Sequence, residues 1–139
     1  MIYNFRGRYA FLSNFYKLPE KIDGCSTAEH LFQSLKTLDP AEREKIKQAF
    51  SPAEARRLGK RVRLRSDWED IKVVAMKEIL DAKFKSDPLR SMLIETSDEQ
   101  LVHENQHGDY FWGTVCGQGR NMLGKLLMNV RDELNTVLT

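Results

Sequence analysis

Cysteine is scarce in this sequence: Cys25 and Cys116 are the only two in 139 residues, and they lie in unrelated contexts. That falls far short of a disulfide framework, so both read as reduced thiols used as small packing residues. Long apolar runs are missing as well. No stretch approaches the roughly 20 residues that cross a bilayer, and the opening "MIYNFRGRYAFLSNF" lacks the basic-then-apolar order of a secretory signal. These absences point to a cytoplasmic protein with no membrane partner. Charge of one sign does not dominate either: 22 Lys+Arg against 20 Asp+Glu leave a formal +2. The whole molecule is therefore no electrostatic match for nucleic acid, and any phosphate binding has to be local. Repeats, low-complexity tracts and Pro/Gly/Ser linkers are absent, so residues 1–139 read as a single domain. With 41% hydrophobic residues the chain can bury one proper core.

What is present is helix, preceded by a β-rich first quarter. "MIYNF" and "YAFLSNFY" are aromatic-rich, and "KIDGCS" carries Asp23-Gly24, a hairpin turn signal between short strands. Four helix starts share one device, a capping side chain with an acid three residues on: Ser26 with Glu29, Asp39 with Glu42, Ser51 with Glu54, and Ser66 with Glu69. Gly59 ends the third helix and Asp87-Pro88 the long fourth. A fifth helix fits residues 89–94, and a sixth runs from about Met122 to Leu138 with Leu123, Leu126, Leu127, Val130 and Leu134 on one stripe. The expected fold class is α+β, mainly α-helical, with a small β-sheet formed by the N-terminal segment and the 101–115 region.

Several stretches have the residue types that chemistry needs. In "STAEHLFQSLK" a wheel puts Ala28, Leu31, Phe32, Leu35 and Leu38 on one face. Glu29, Gln33 and Lys36 gather within a sector of roughly 60° on its flank. An acid, an amide and an amine then point one way, although Glu29 also fits a capping-box acid and Lys36 a surface residue. His30 falls near the opposite side, as polar surface. The stretch "HGDYFWGTVCGQGRNMLGK" fails as a dinucleotide fingerprint, which needs glycine where Met122 stands, and as a P-loop, because Leu126 has no hydroxyl for magnesium. What survives is a pair of glycines, Gly117 and Gly119, before a helix start at Asn121 that favours an anion; a plain glycine turn fits equally. His103, His107 and Asp109 form H-x3-H-x-D, but "ENQHG" is a poor helix and need not bring the imidazoles together, so no metal is expected. "RRLGKRVRLR", residues 56–65, lacks the interleaved aromatics of a base-stacking surface. It reads first as a solvated basic turn joining two helices, the alternative being that one or two of its side chains reach a ligand phosphate.

Taken in order, "FLSNFY", "TAEHLFQSLK", "LGKRVRLRSDWEDIKVVAMKEILDAKF", "HGDYFWG" and "GRNMLGKLLMNVRDEL" resemble the YbiA-like, or NADAR, superfamily from about residue 2 to 134. The resemblance implies an N-glycosidase that cleaves the bond between a ribose phosphate and a base or amine. Its substrates would be riboflavin-pathway ribosylamino-pyrimidine phosphates or ADP-ribose-type molecules, ADP-ribosylated nucleic acid among them. By position it implies three key residues: Glu29 of the E-H-x-x-Q motif, Trp68 of D-W, and Asp109 before W-G. The chain departs from the family pattern at His103, where an acid is expected after "LV", and at Glu104, where a small residue is common.

The chemistry so implied assigns roles. Cleaving a ribosyl C–N bond builds positive charge on the sugar, which a carboxylate stabilises in the transition state. Glu29 takes that part and Asp109 serves as general base for water, or the two exchange. Trp68, helped by Phe15 or Trp112, stacks on the base. Asn14 and Gln33 are further substrate contacts. Lys36, Arg65 or Lys72 meets the phosphate, together with the helix start at Asn121, where Gly113 and Gly124 admit a close backbone. No cofactor is required. A non-catalytic nucleotide- or ADP-ribose-binding module is the rival from another class, and a nucleic-acid binder resting on residues 56–65 is a third.

Overall fold

The structure, a computed structural model, describes residues 1–138. Its fold class is the expected one, α+β and mainly helical. The chain divides into two compact units: Asn14–Lys83, and Met1–Ser13 together with the residues from Phe84 onward. No helix of the described residues is long and apolar enough to cross a membrane.

The first of these units begins with a hairpin of β1 (Lys17–Ile22) and β2 (Cys25–Thr27), antiparallel, with a register shift between Lys17 and Ile22. Asp23 and Gly24 make its turn at φ of 50° and 76°, the left-handed pair that a two-residue hairpin loop demands. Four helices follow: α1 (Ala28–Ser34), α2 (Pro40–Lys47), α3 (Pro52–Gly59) and α4 (Trp68–Lys83). Helix α1 is the hub, packed against α2, α3, α4 and β2, and all seven of its residues are buried. Around it lie Leu18, Cys25, Ile46, Ala55, Met76, Ile79 and Leu80. Burial pushes the Cys25 thiol up to about 11, which suits a packing residue. Cys116 does not fit the packing reading: it is exposed, at a turn with φ 52°.

Two sequence-derived caps form as expected, at Asp39 (to the Ala41 N–H) and Ser51 (to the Glu54 N–H). The first does not. Ser26 lies within β2, and Thr27 is the true cap of α1, its hydroxyl accepting from the His30 N–H at 3.1 Å. Helix α4 begins at Trp68, with the Asp67 carbonyl accepting from the Ile71 N–H, and stops at Lys83, four residues short of Asp87. His30 corrects the sequence reading too. It is 1% exposed, not surface, with Nδ1 2.7 Å from the Thr27 hydroxyl and Nε2 donating to the Ala49 carbonyl at 2.9 Å.

In the second unit, α5 (Leu89–Ile94) and α6 (Met122–Leu138) occupy the expected residues and pack together. Leu123, Leu126, Leu127 and Val130 are buried with Phe11, Phe84, Leu93 and Leu101, while Leu134 is half-buried. The sheet forms where the Asp23-Gly24 turn placed it, in the N-terminal segment, but the 101–115 region adds no strand to it: both strands belong to the 17–27 hairpin. Residues 101–115 supply only isolated bridges, Leu101 with Ile2 and Glu104 with Thr114. Within that stretch Gly108, at φ 82°, breaks the extended backbone, and the Asp109 side chain takes the Phe111 and Trp112 N–H groups, so no ladder propagates. "YAFLSNFY" likewise begins in a 3-10 helix, Gly7–Leu12, rather than a strand.

Two stability effects follow from these assignments. Thr27→Ala should cost about 1–2 kcal/mol in chemical denaturation, whereas Ser26→Ala should stay within about 0.5, because only Thr27 serves the helix N-terminus. The second concerns Lys83, which is 3% exposed with its ammonium 5.9 Å from the Tyr16 ring. Burial lowers its amine from 10.5 to about 7, so between these pH values the unfolded chain binds more protons than the folded one. Stability should therefore rise as pH goes from 7 to 10.5, and urea midpoints of Lys83→Met should show that slope flattened and the pH 7 value raised.

Candidate functional site

Thr27 ends β2 and starts α1, which places Glu29 in the first turn of a helix with no exposed face. Glu29 is 4% exposed, and its carboxylate closes no capping box. Instead Oε1 accepts from Gln33 Nε2 at 2.8 Å, one turn along, and from Arg56 Nε at 3.2 Å on α3. Its own N–H donates to the Asn14 carbonyl at 3.0 Å. Gln33, also 4% exposed, keeps Oε1 buried without a partner, and it lies so close to Gly59 that a Cβ there would collide with it. Thus α1 and α3 approach through a glycine, and the approach sets Arg56 on Glu29.

The structure gathers Lys36 into the same neighbourhood. Burial lowers its amine; the Glu29 carboxylate opposes that shift, and the positive charges of Arg56, Lys60 and Lys72 add to it. Phe15, 37% exposed, lies with the Arg56 guanidinium carbon 4.6 Å from its ring centroid. Asn14 is buried, with Nδ2 donating to Met76 Sδ at 3.5 Å and Oδ1 unpartnered. Glu29, Gln33, Lys36, Asn14 and Phe15, all expected in the site, therefore share one region of this unit.

Three other expected residues have different surroundings. Trp68 is 6% exposed and packed on Phe32 at 5.0 Å between centroids, so it backs α1 from the core rather than offering a face to a base. Arg65 spends its guanidinium on Asp67, at 2.6 and 3.1 Å, and its N–H on the Lys36 carbonyl at 2.8 Å, bracing the end of α1. Lys72 pairs with Glu69 at 2.6 Å.

Asp109, Trp112, Gly113, Asn121 and Gly124 belong to the second unit. Asp109 is half-buried, and Oδ1 accepts from the Phe111 and Trp112 N–H groups at 3.1 and 2.9 Å. Oδ2 has no partner among the described residues. The expected anion cradle at the start of α6 is not formed. The N–H groups of Asn121, Met122 and Leu123 already donate to the carbonyls of Gly113, Phe111 and Trp112 at 2.9–3.1 Å. Asn121 uses its side chain on the His103 N–H (2.8 Å) and the Leu101 carbonyl (2.9 Å). Beside Gly113 and Gly124 the space is filled by the His103 and Leu101 carbonyls, so these glycines permit self-packing, not ligand approach. Trp112 is half-buried and meets Phe111 edge-on at 4.9 Å. Glu104 closes the glycine turn: its carboxylate accepts from the Thr114 hydroxyl at 2.5 Å and the Cys116 N–H at 2.8 Å, bonds that hold it below the usual carboxylate range. His103 stacks on Phe5 at 5.6 Å. Among the described residues no three His, Cys, Asp or Glu groups converge to hold a metal.

Sequence reasoning named none of the basic run as a site residue except Arg65, and the run supplies Arg56 and Lys60. Their four-residue spacing on and just beyond α3 was the available signal, since it puts both on one side of that helix.

Comparison with known proteins decides the family, for a model of the NADAR domain matches residues 3–135. The chain belongs to the NADAR domain family. An NADAR relative, N-glycosidase YbiA of Escherichia coli, is 41% identical over 132 residues, covering 91% of this chain and 82% of the relative. An N-glycosidase of Nostoc punctiforme is 40% identical over 123 residues, 82% of this chain and 77% of that one. A riboflavin biosynthesis protein of Vibrio vulnificus is 39% identical over 132 residues, which make up 36% of its length. Among solved structures, the solution structure of Escherichia coli YbiA aligns with TM-score 0.85 at 38% identity, over 99% of this NADAR chain and 84% of that one.

The Gly59 contact is open to test. Gly59→Ala should drive the Gln33 amide off the Glu29 carboxylate, at a cost of about 1–3 kcal/mol from overpacking. Denaturation curves measure the cost, and a shift of the Gln33 side-chain amide resonance reports the displacement.

Proposed function

We propose that this chain hydrolyses the C–N glycosidic bond of a ribosylated base or amine that carries phosphate, with Glu29 stabilising the sugar cation. Hydrolysis of N-glycosyl bonds in general is the activity of this chain, consistent with its family and with relatives at 40–41% identity over most of its length. The observation that carries the substrate reading is the buried Glu29 carboxylate with Lys36 in electrostatic range of it and Lys60 in range of Lys36, while Arg56 is spent on Glu29 and Lys72 on Glu69. A lone carboxylate placed there suits a reaction that develops positive charge, because the interaction is stronger in the transition state than in the ground state. The surplus of positive charge suits a substrate with a phosphate to neutralise it. Asp109 is assigned as general base, its Oδ2 being the oxygen not spent on the turn. The C–N electron pair leaves with the nitrogen; the water oxygen bonds to the anomeric carbon, and the proton it loses passes by way of the base to the departing nitrogen. We assign the reaction to the cytoplasm. The substrate is a phosphorylated ribosyl small molecule of the ribosylamino-pyrimidine or ADP-ribose type, with ADP-ribosylated nucleic acid as the larger form.

Incubation with ribosylamino-pyrimidine phosphates, NAD, ADP-ribose and ADP-ribosylated DNA, read by mass spectrometry, should release a ribose phosphate or ADP-ribose from at least one. Binding without cleavage of any would replace the reading with that of a nucleotide-binding module. Glu29→Gln keeps shape while removing charge, so turnover should fall at least about 100-fold with the melting temperature almost unchanged. Asp109→Asn retains the Oδ1 bonds of its turn and should also lose hydrolysis while still binding ligand. Normal turnover in either variant would remove that residue from the mechanism.

A further inference from the structure

Arg56 is used in a way that solvation of a surface arginine does not explain. Its Nε donates to Glu29 Oε1 at 3.2 Å, the same oxygen that takes Gln33 Nε2 at 2.8 Å. Both bonds fall on Oε1, and Oε2 has no protein partner among the described residues. A carboxylate held through one oxygen by two donors from different helices has its rotation fixed and its second oxygen left for other work. The guanidinium carbon also lies over the Phe15 ring, 4.6 Å from its centroid, so one side chain joins the acid to an aromatic that is 37% exposed. Two other arginines of the run are committed elsewhere, Arg57 to Glu54 at 2.8 Å and Arg65 to Asp67 at 2.6 Å. Arg56 is itself only about one-third exposed along its side chain, against 5% for Glu29.

We propose that Arg56 is a positioning residue of the N-glycosidase reaction: with Gln33 it fixes Glu29 through Oε1, so that Oε2 faces the anomeric carbon, and by stacking on Phe15 it couples the base-binding aromatic to the acid. It does not touch the reacting atoms. This inference rests on the role assigned to Glu29 above. Guanidinium suits the task because a planar fork can hydrogen-bond edge-on while its face stacks; an ammonium has the charge without the plane. The effect belongs in turnover more than in substrate affinity, because a misplaced carboxylate loses its contact with the developing cation, not with the resting substrate.

The test runs the full-length wild-type enzyme, Glu29→Gln, Arg56→Met, Arg56→Lys, Arg56→Ala and Arg57→Met side by side on the substrate that the wild type cleaves. Arg56→Met should lower kcat at least about 30-fold while KM moves less than about 3-fold, since geometry and not binding is lost. Arg56→Lys should recover part of the rate, and methylguanidinium should restore Arg56→Ala where ammonium at equal ionic strength does not. Arg57→Met should match the wild type, and melting curves check that each variant is folded. Wild-type kcat in Arg56→Met, while Glu29→Gln is inactive, overturns the role of Arg56 and leaves the catalytic acid standing. A rise in KM alone makes Arg56 a substrate ligand and also overturns it. Wild-type turnover in Glu29→Gln overturns the reading of the acid, and this inference with it.

Discussion

Burying a carboxylate inside a helix that has no exposed face is the constraint on which the Asn14–Lys83 unit depends. Every polar group on α1 has to find a partner within the protein, because water does not reach it and an unsatisfied buried group costs about 1–3 kcal/mol. His30 meets this with Thr27 and Ala49, Ser34 with the Leu31 carbonyl, and Glu29 with Gln33 and Arg56. Each partner dictates a further piece of structure. The Ala49 carbonyl fixes where the chain runs between α2 and α3, and Arg56 has to come from α3, which requires the glycine contact at Gly59. Oδ1 of Asn14 and Oε1 of Gln33 are the buried exceptions in this unit, and both residues touch Glu29, one through its backbone and one through its side chain.

The glycine-rich segment after residue 107 follows the opposite logic. Sequence alone makes it resemble a cradle for an external anion, but the chain fills that cradle itself. Carbonyls of residues 111–113 occupy the first amides of α6, and Asn121 is held by residues 101 and 103. Glu104 caps the turn from the other side through Thr114 and Cys116. Glycines are needed here because backbone meets backbone, and any side chain at 113 or 124 would strike a carbonyl. The amides at the start of α6 are therefore already spent on the chain's own carbonyls.

Much of this was legible from local pattern. The hairpin turn at Asp23-Gly24, the caps at Asp39 and Ser51, and the limits of α5 and α6 agree with the structure because each depends on residues within a few positions of one another. The grouping of Glu29, Gln33 and Lys36 was legible for the same reason, as a helical wheel needs only the period of the helix. The cap of α1 was missed by one residue: Ser26 and Thr27 are both good caps, and the choice between them belongs to the end of β2. The expected strand at 101–115 failed because the backbone turns at Gly108, at positive φ, and at the Asp109 side chain that takes the Phe111 and Trp112 N–H groups.

The sequence by itself determined where the six α-helices of the described residues lie, the hairpin turn, the balance of charge and the family, since all of these are carried by local spacing or by motifs in order. Only the tertiary structure decided what the polar residues do. It put His30 and Trp68 inside, turned Asn121 into a clamp, and chose Arg56 from six basic residues in ten as the partner of Glu29, 27 positions away. No local period connects residues 29 and 56; their bond exists because α3 packs on α1 at Gly59, and helix-on-helix contact is set by burial of the whole unit rather than by any one stretch of chain.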